Sequence, residues 1–215
     1  MTHSSAMTIR KARPCDARVM AYSIFMAEGE LIPFFTGHTD EERSLQALEE
    51  YILSPIPSRY WLDYALVAEL EGRTVGAAFS FPADTQPELD KPILASANAR
   101  GWNLTELFFE GEPGTYYLST MGVDPRFRNR GVGSALMAAS EIEGARQGFR
   151  MASLLVSVEK EKAKALYERL GYVVLRDITI ADRFRYYRMG RQLPVSSVAP
   201  ASQGDGDSVT GNEGS

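Results

Sequence analysis

The sequence predicts an α+β domain of six to seven strands flanked by helices. Three observations carry this expectation. Residues 64–70 and 74–81 are two apolar, β-prone runs joined by Glu71-Gly72, the pattern of a tight hairpin. Residues 116–136 read as strand, glycine-punctuated loop and amphipathic helix. Residues 172–180 and 184–189 are two more strands with no helix between them.

The remaining elements follow in order. Residues 1–6 are polar and read as a flexible N-terminus. Residues 7–11 alternate as a first strand, and Arg13-Pro14 ends it. Asp16 is placed to cap a helix over 17–29, where Val19, Met20, Ile24 and Phe25 share a face. Residues 31–37, with Pro33 and Phe34-Phe35, read as an apolar turn or loop. A second helix runs from Thr39 through Leu45, Leu48 and Ile52, ending before Pro55. After the hairpin, Pro82 opens a long excursion to Thr115, with helical parts expected at 92–99 and 103–109. Its acids, Asp84, Glu88, Asp90, Glu106, Glu110 and Glu112, face only Lys91 and Arg100. That imbalance is either a solvated surface or a lip that attracts a cationic amine. A strand at 151–158 carries the apolar run Leu154, Leu155 and Val156. A helix at 159–170 puts Ala163, Leu166, Tyr167 and Leu170 on one face, and Gly171 stops it. From Gln192 to Ser215 small and polar residues replace aromatics, and this tail is expected to be disordered. One domain over 7–191 is the expected organisation.

Composition narrows the function. Of 215 residues 44% are apolar, enough for a core. The net charge of −5 and the lack of a basic stripe argue against nucleic acid. One cysteine excludes an intrachain disulfide, and His3 and His38 lie far apart, so no metal site is expected. No apolar run approaches the ~20 residues that span a bilayer, and the N-terminus lacks a signal pattern. The expectation is a cytoplasmic protein without a membrane role, monomeric or homodimeric.

Residues 116–136 are the most informative. The aromatic and β-branched strand stops at Asp124-Pro125, a turn signal. The loop Arg128-Asn129-Arg130-Gly131-Val132-Gly133-Ser134 then runs into a helix with Val132, Ala135, Leu136, Ala139 and Ile142 on one face. A helix N-terminus carries unpaired N–H groups and partial positive charge. Glycines there let an anion come close, and Arg128 and Arg130 add cations. The loop is a pyrophosphate cradle or an ordinary strand-to-helix connection. It is not a P-loop, since Gly-x-x-x-x-Gly-Lys-Ser/Thr is absent. Nor is it a dinucleotide fingerprint, since Leu136 occupies the third glycine position.

Val123-Asp-Pro-x-x-Arg128-x-x-Gly131-x-Gly133 closely resembles the acyl-CoA-binding motif of the GNAT superfamily of N-acyltransferases. Ala163-x-x-Leu166-Tyr167-x-x-x-Gly171-Tyr172 resembles the family's second signature, except that Lys160 stands at its asparagine position. The resemblance implies a twisted mixed, mostly antiparallel sheet in which the strand before the cradle and the next one splay apart. It implies that acetyl-CoA is the cosubstrate, with its pantetheine arm along Met121, Gly122 and Val123. Its diphosphate would rest on Arg128, Asn129, Arg130, Gly131, Val132, Gly133 and Ser134, with Lys160 either near a phosphate or solvated.

The implied reaction is direct attack of an amine on the thioester. Tyr167 matches the family's general acid; read without the motif, it is a half-buried helix tyrosine. An ordinary tyrosine near ~10 protonates a thiolate near ~8.5 at a cost of about 2 kcal/mol. Neither strand beside the cradle carries a carboxylate, so the base is open. A lysine-like amine must give up about 4–5 kcal/mol of protonation at neutral pH, an α-amine about 1. Candidates are a water relay through Ser119 or Tyr117, and Glu110, Glu28 or Glu30, which also suit a cationic substrate. The leading expectation is an N-acetyltransferase acting on a primary amine of a small molecule or protein. The alternative is a CoA-binding sensor without turnover.

Overall fold

The computed structural model describes residues 6–180 and 183–194. The tail expected beyond Gln192 lies mostly outside the described residues.

Seven strands form one sheet in the order β1-β2-β3-β4-β5-β7-β6. They are β1 (Thr8–Lys11), β2 (Ala65–Leu70), β3 (Arg73–Pro82), β4 (Tyr116–Val123), β5 (Met151–Ser157), β6 (Val173–Ile180) and β7 (Phe184–Gln192). Every neighbouring pair is antiparallel except β4 and β5. The sheet is therefore mixed and mostly antiparallel, as the sequence predicts. Six helices flank it: α1 (Ala17–Glu28), α2 (Ile32–Thr36), α3 (Glu41–Leu53), α4 (Gln86–Ala99), α5 (Val132–Arg146) and α6 (Glu161–Arg169).

Alternation along the strands divides the core between the two faces. Ala65, Val67, Ala77 and Phe79 pack with Met20, Ile24, Leu48 and Ile52 of α1 and α3. Leu66, Ala68, Val75 and Ala78 pack with Val132 and Leu136 of α5 on the opposite face. β2 reads as an unbroken apolar run because both of its faces are covered. Further along the sheet, Leu154, Val156 and Met189 pack with Met137 and, at the edge, Tyr167.

Helix α1 lies directly on β4. A Cβ on Gly122 would stand 2.4 Å from the Ser23 carbonyl oxygen, so only glycine permits this approach. The approach brings the C-terminal end of α1 against β4, where the candidate site begins.

Several local expectations are corrected. Residues 31–37 hold a short helix rather than a loop: Pro33 sits in the first turn of α2, where its missing N–H costs nothing, and Gly37 ends it at φ 78°. α4 starts at Gln86, six residues before the expected position, and carries Pro92 inside it. Residues 103–109 form no helix. Their backbone is held by side chains from elsewhere: Asn98 bonds both the N–H and the carbonyl of Leu104, and Gln86 and Arg188 reach the Phe108 and Phe109 carbonyls. Asp16 does not cap α1 with its side chain. Its oxygens are taken by Arg10, Thr74 and the Arg13 N–H.

Candidate functional site

β4 is paired along its length with β3 but meets β5 only at Tyr116 and Tyr117. Beyond these residues the two parallel strands part. The register of β4 with β3 also slips: Phe79 opposes Thr120 and Ser80 opposes Leu118, which leaves Ser119 as the extra residue of a bulge. A cavity of about 30 Å³ lies in the gap, lined by residues that include Leu118, Ser119, Met121, Ser140, Leu154 and Tyr167. Its volume suits about one water.

Two hydroxyls give the gap its polarity. The Oγ atoms of Ser119 and Ser140 are buried without a hydrogen-bond partner among the described residues. Such groups are rare, because an unpaired buried hydroxyl costs about 1–3 kcal/mol. Both face the cavity that Tyr167 also lines. The Tyr167 hydroxyl makes no hydrogen bond among the described residues, and burial pushes its pKa up. Its proton transfer to a thiolate is therefore more uphill than for an ordinary phenol.

β4 leads through the Asp124-Pro125 turn and a loop into the start of α5. Gly131 takes φ 79°, and Asn129 takes φ 61°, so the loop turns through two left-handed residues before the helix. A Cβ at Gly131 meets nothing within 4 Å, so its φ and not crowding selects glycine there. Gly133 has only Val123 Cγ2, at 4.0 Å, near its Cβ position, so no side chain blocks the helix mouth on that side. Arg128, Asn129, Arg130 and Gly131 are exposed, Val132 is buried, and Gly133 and Ser134 are half-buried. Arg128 Nε donates to the Val123 carbonyl at 3.2 Å and ties the loop back to β4. Lys160 stands at the N-terminus of α6 and reaches across to α1, where Nζ donates to the Ala27 carbonyl at 2.8 Å.

On the α1 face of β4 lies a charged cluster. Arg59 is 1% exposed; Nε and Nη2 donate to both oxygens of Asp90 at 2.6 and 2.7 Å, and Nη1 donates to Glu110 Oε1 at 2.6 Å. Tyr117, fully buried, donates its hydroxyl to Glu110 Oε2 at 2.6 Å. Both oxygens of Glu110 are thus engaged. Burial and the charge of Glu110 push the Tyr117 phenol well above its usual pKa. Glu28, the last residue of α1, accepts from Thr120 Oγ1 at 2.8 Å and from the Tyr60 hydroxyl at 3.3 Å, both on Oε1. Glu30 is exposed and lies 3.7 Å from Arg183. Glu112 is taken by Arg176 and Arg188.

The structure therefore brings Ser119, Met121 and Tyr167 to one gap, places the 128–134 loop after β4 at the start of α5, and places Glu28, Glu110 and Tyr117 across β4 from the gap. Arg59, Tyr60, Thr120 and Ser140 were not singled out from the sequence. Arg59 sits in an irregular stretch, and nothing local marks its partners, which lie 31 and 51 residues away. No helix among the described residues is long and apolar enough to cross a membrane.

Known proteins share this fold. The model of the acetyltransferase (GNAT) family matches residues 24–172. A crystal structure described as an acetyltransferase is 26% identical over 87% of this chain and 100% of its own, with a TM-score of 0.65. An N-acetyltransferase from Staphylococcus aureus Mu50 is 22% identical over 85% of this chain and 99% of its own, with a TM-score of 0.71. Naa20 from Chaetomium thermophilum, in complex with a bisubstrate analogue, is 20% identical over 86% of both chains, with a TM-score of 0.51. No curated protein matches the sequence.

Proposed function

The chain belongs to the GNAT acetyltransferase family, and on that premise we propose that it transfers an acetyl group from acetyl-CoA to a primary amine of a small molecule or protein. One observation carries the reading. The β4–β5 gap is lined by Tyr167 and by Ser119 and Ser140, the only unpartnered buried hydroxyls among the described residues, and β4 leads through the Asp124-Pro125 turn to the N-terminus of α5.

The parts fit acetyl-CoA. The α5 amides from Val132 to Ser134, with Arg128, Asn129, Arg130 and Gly131 around them, form a mouth for a diphosphate. The unpaired edge of β4 at Met121, Gly122 and Val123 offers backbone groups to the amides of a pantetheine arm, as an added strand would. The cavity must widen to admit the arm. In this reading Lys160 leaves the Ala27 carbonyl for a phosphate or stays as a brace beside the arm.

The amine attacks the thioester carbon, and the C–S bond breaks. Tyr167 gives its proton to the departing sulfur. Its raised pKa means that this transfer runs in concert with C–S cleavage, without a free tyrosinate forming first. Ser119, at the bulge, relays a proton through water. Glu28, Glu30, Glu110 and Tyr117 form the acceptor side, where the carboxylates favour a cation. The reaction belongs where acetyl-CoA and free amines meet, in the cytoplasm.

Calorimetry with acetyl-CoA and a thiol-release screen across polyamines, amino acids, arylamines and peptide N-termini test the proposal. Binding in the micromolar range and thiol release with at least one amine are expected. Tyr167→Phe should slow release about 100-fold and leave acetyl-CoA affinity unchanged. Binding without release for any amine selects the alternative, a CoA sensor, which the departure at Lys160 favours. Absence of binding ends both readings.

A further inference from the structure

The cluster behind β4 holds more negative than positive charge. Asp90, Glu110 and Glu28 contribute three carboxylates; Arg59 pairs with the first two, while Arg188, also buried, donates to backbone carbonyls and pairs with Glu112. Arg59 spends its donors on Asp90 and Glu110. Lys160, whose charge also acts on Glu28, donates to the Ala27 carbonyl instead. Glu28 is left with two neutral donors, Thr120 and Tyr60, both on Oε1. Its Oε2 accepts no hydrogen bond among the described residues. The side chain is held in place on one oxygen and open on the other.

Its position matters as much as its valence. Thr120, which holds Glu28, is next to Ser119 at the bulge and lines the same gap as Tyr167. Lys160, seven residues before Tyr167, braces the residue before Glu28. Tyr186 of β7 stands in the field of Glu28, Glu110, Glu159 and Glu30. Glu28 thus sits where α1, β4 and the start of α6 meet, across β4 from the cavity that Ser119 and Tyr167 line.

We infer that Glu28 is the base on the acceptor side, its open oxygen receiving the ammonium of a cationic primary amine and removing one proton from it. This rests on the transferase reading. Glu28 takes a proton from R–NH3+; the free nitrogen forms a bond to the thioester carbon; the C–S bond breaks and sulfur takes the Tyr167 proton. The new amide nitrogen loses its second proton to the tyrosinate, and Glu28 releases its proton to water. The products are an N-acetyl amine, CoA thiol and one proton. Burial first, and then the charge of Glu110, raise the Glu28 pKa; Arg59, Thr120 and Lys160 oppose them. A raised carboxyl pKa makes proton removal from an amine less uphill.

The same geometry makes Glu28 a burden on folding. With a folded-state pKa above the unfolded one, the penalty is absent below the usual carboxylate range, grows as pH rises through the raised value, and is complete above it. A carboxylate kept for structure has the opposite effect.

The experiment compares wild type with Glu28→Gln, Glu28→Asp and the surface control Glu50→Gln by thiol release from acetyl-CoA. The acceptors are n-butylamine, spermidine and lysine amide, from about pH 6 to 9. Thermal unfolding is followed at about pH 4 and 8. Glu28→Gln should lower kcat about 100- to 1,000-fold, abolish the acidic limb of the rate profile, and leave the acetyl-CoA Kd unchanged. It should also raise Tm at pH 8 and not at pH 4. Glu28→Asp should restore part of kcat with a displaced acidic limb, and Glu50→Gln, exposed on α3, should stay within about threefold. Wild-type turnover that Glu28→Gln leaves within about threefold, or with its acidic limb intact, overturns the inference and spares the transferase reading. A Tm that falls at pH 8 assigns Glu28 a structural role. No turnover by wild type with any amine overturns both readings.

Discussion

The two ends of α1 each carry a carboxylate, and the two are treated in opposite ways. Asp16 stands just before the helix, at its positive end, and Glu28 closes it, at its negative end. Asp16 is 3% exposed and accepts two hydrogen bonds from Arg10, one from Thr74 and one from the Arg13 N–H. Burial alone would raise its pKa, but these partners hold it down at about 2. Glu28 has neutral partners on one oxygen only, and its pKa moves up. The four donors on Asp16 fill both of its oxygens and hold it ionised, whereas Glu28 has one oxygen without a donor among the described residues. The first cluster locks β1 to β3. The second leaves negative charge beside a gap.

Removing Arg59 breaks the comparison most severely. Arg59→Met leaves Asp90, Glu110 and Glu28 without a buried cation, and α4 and the 100–115 segment lose their tie to the core. Loss of one partner from a buried pair costs about 3–5 kcal/mol. The urea midpoint should collapse, and the variant is expected to be partly unfolded at neutral pH. Arg59→Met combined with Asp90→Asn and Glu110→Gln should recover much of the loss, because the damage is uncompensated charge and not lost packing.

The closed cluster answers next. Asp16→Asn keeps the shape and removes the charge, and should cost about 2 kcal/mol near pH 7. The sign follows from the lowered pKa: the contribution is whole above the usual carboxylate range and is lost as pH falls toward about 2. Chemical denaturation of wild type and Asp16→Asn should differ at pH 7 and converge near pH 2. For Glu28→Gln the difference has the opposite sign and widens with rising pH.

The contrast between the two clusters was not legible in the sequence, whereas the strand and helix on either side of the 128–134 loop largely were. The strand expected to end at Asp124-Pro125 is β4, and the helix expected from Val132 is α5. Both are written in local signals: apolar alternation, a turn dipeptide, glycines and a 3.6-residue period. The fate of the acidic excursion depended on arginines far away. Arg188 donates to the carbonyls of Phe109 and Glu110 and pairs with Glu112, from 76 to 79 residues on. A surplus of acids over 84–112 therefore did not mean an open acidic lip. Asp16 looked like a helix cap because caps are local, and its partner Thr74 lies 58 residues away. Burial decided the pKa of Tyr167 in the same non-local way.

Lys160 offers the smallest and most specific change. Its ammonium donates to the Ala27 carbonyl, and its charge favours the ionised form of Glu28, as does that of Arg59. Glu110 acts the other way, with burial the largest influence of all. Lys160 is exposed, so Lys160→Gln should change stability by no more than about 0.5 kcal/mol. Without that cation the Glu28 carboxyl titrates higher, and the acidic limb of thiol release should move to higher pH while the plateau rate changes little. If Lys160 instead serves the cofactor alone, the limb stays in place and the Kd for acetyl-CoA weakens. The pH profile and the calorimetric Kd therefore separate two roles for one side chain. A moved limb with unchanged Kd would show that a lysine at the family's asparagine position tunes the base across the gap.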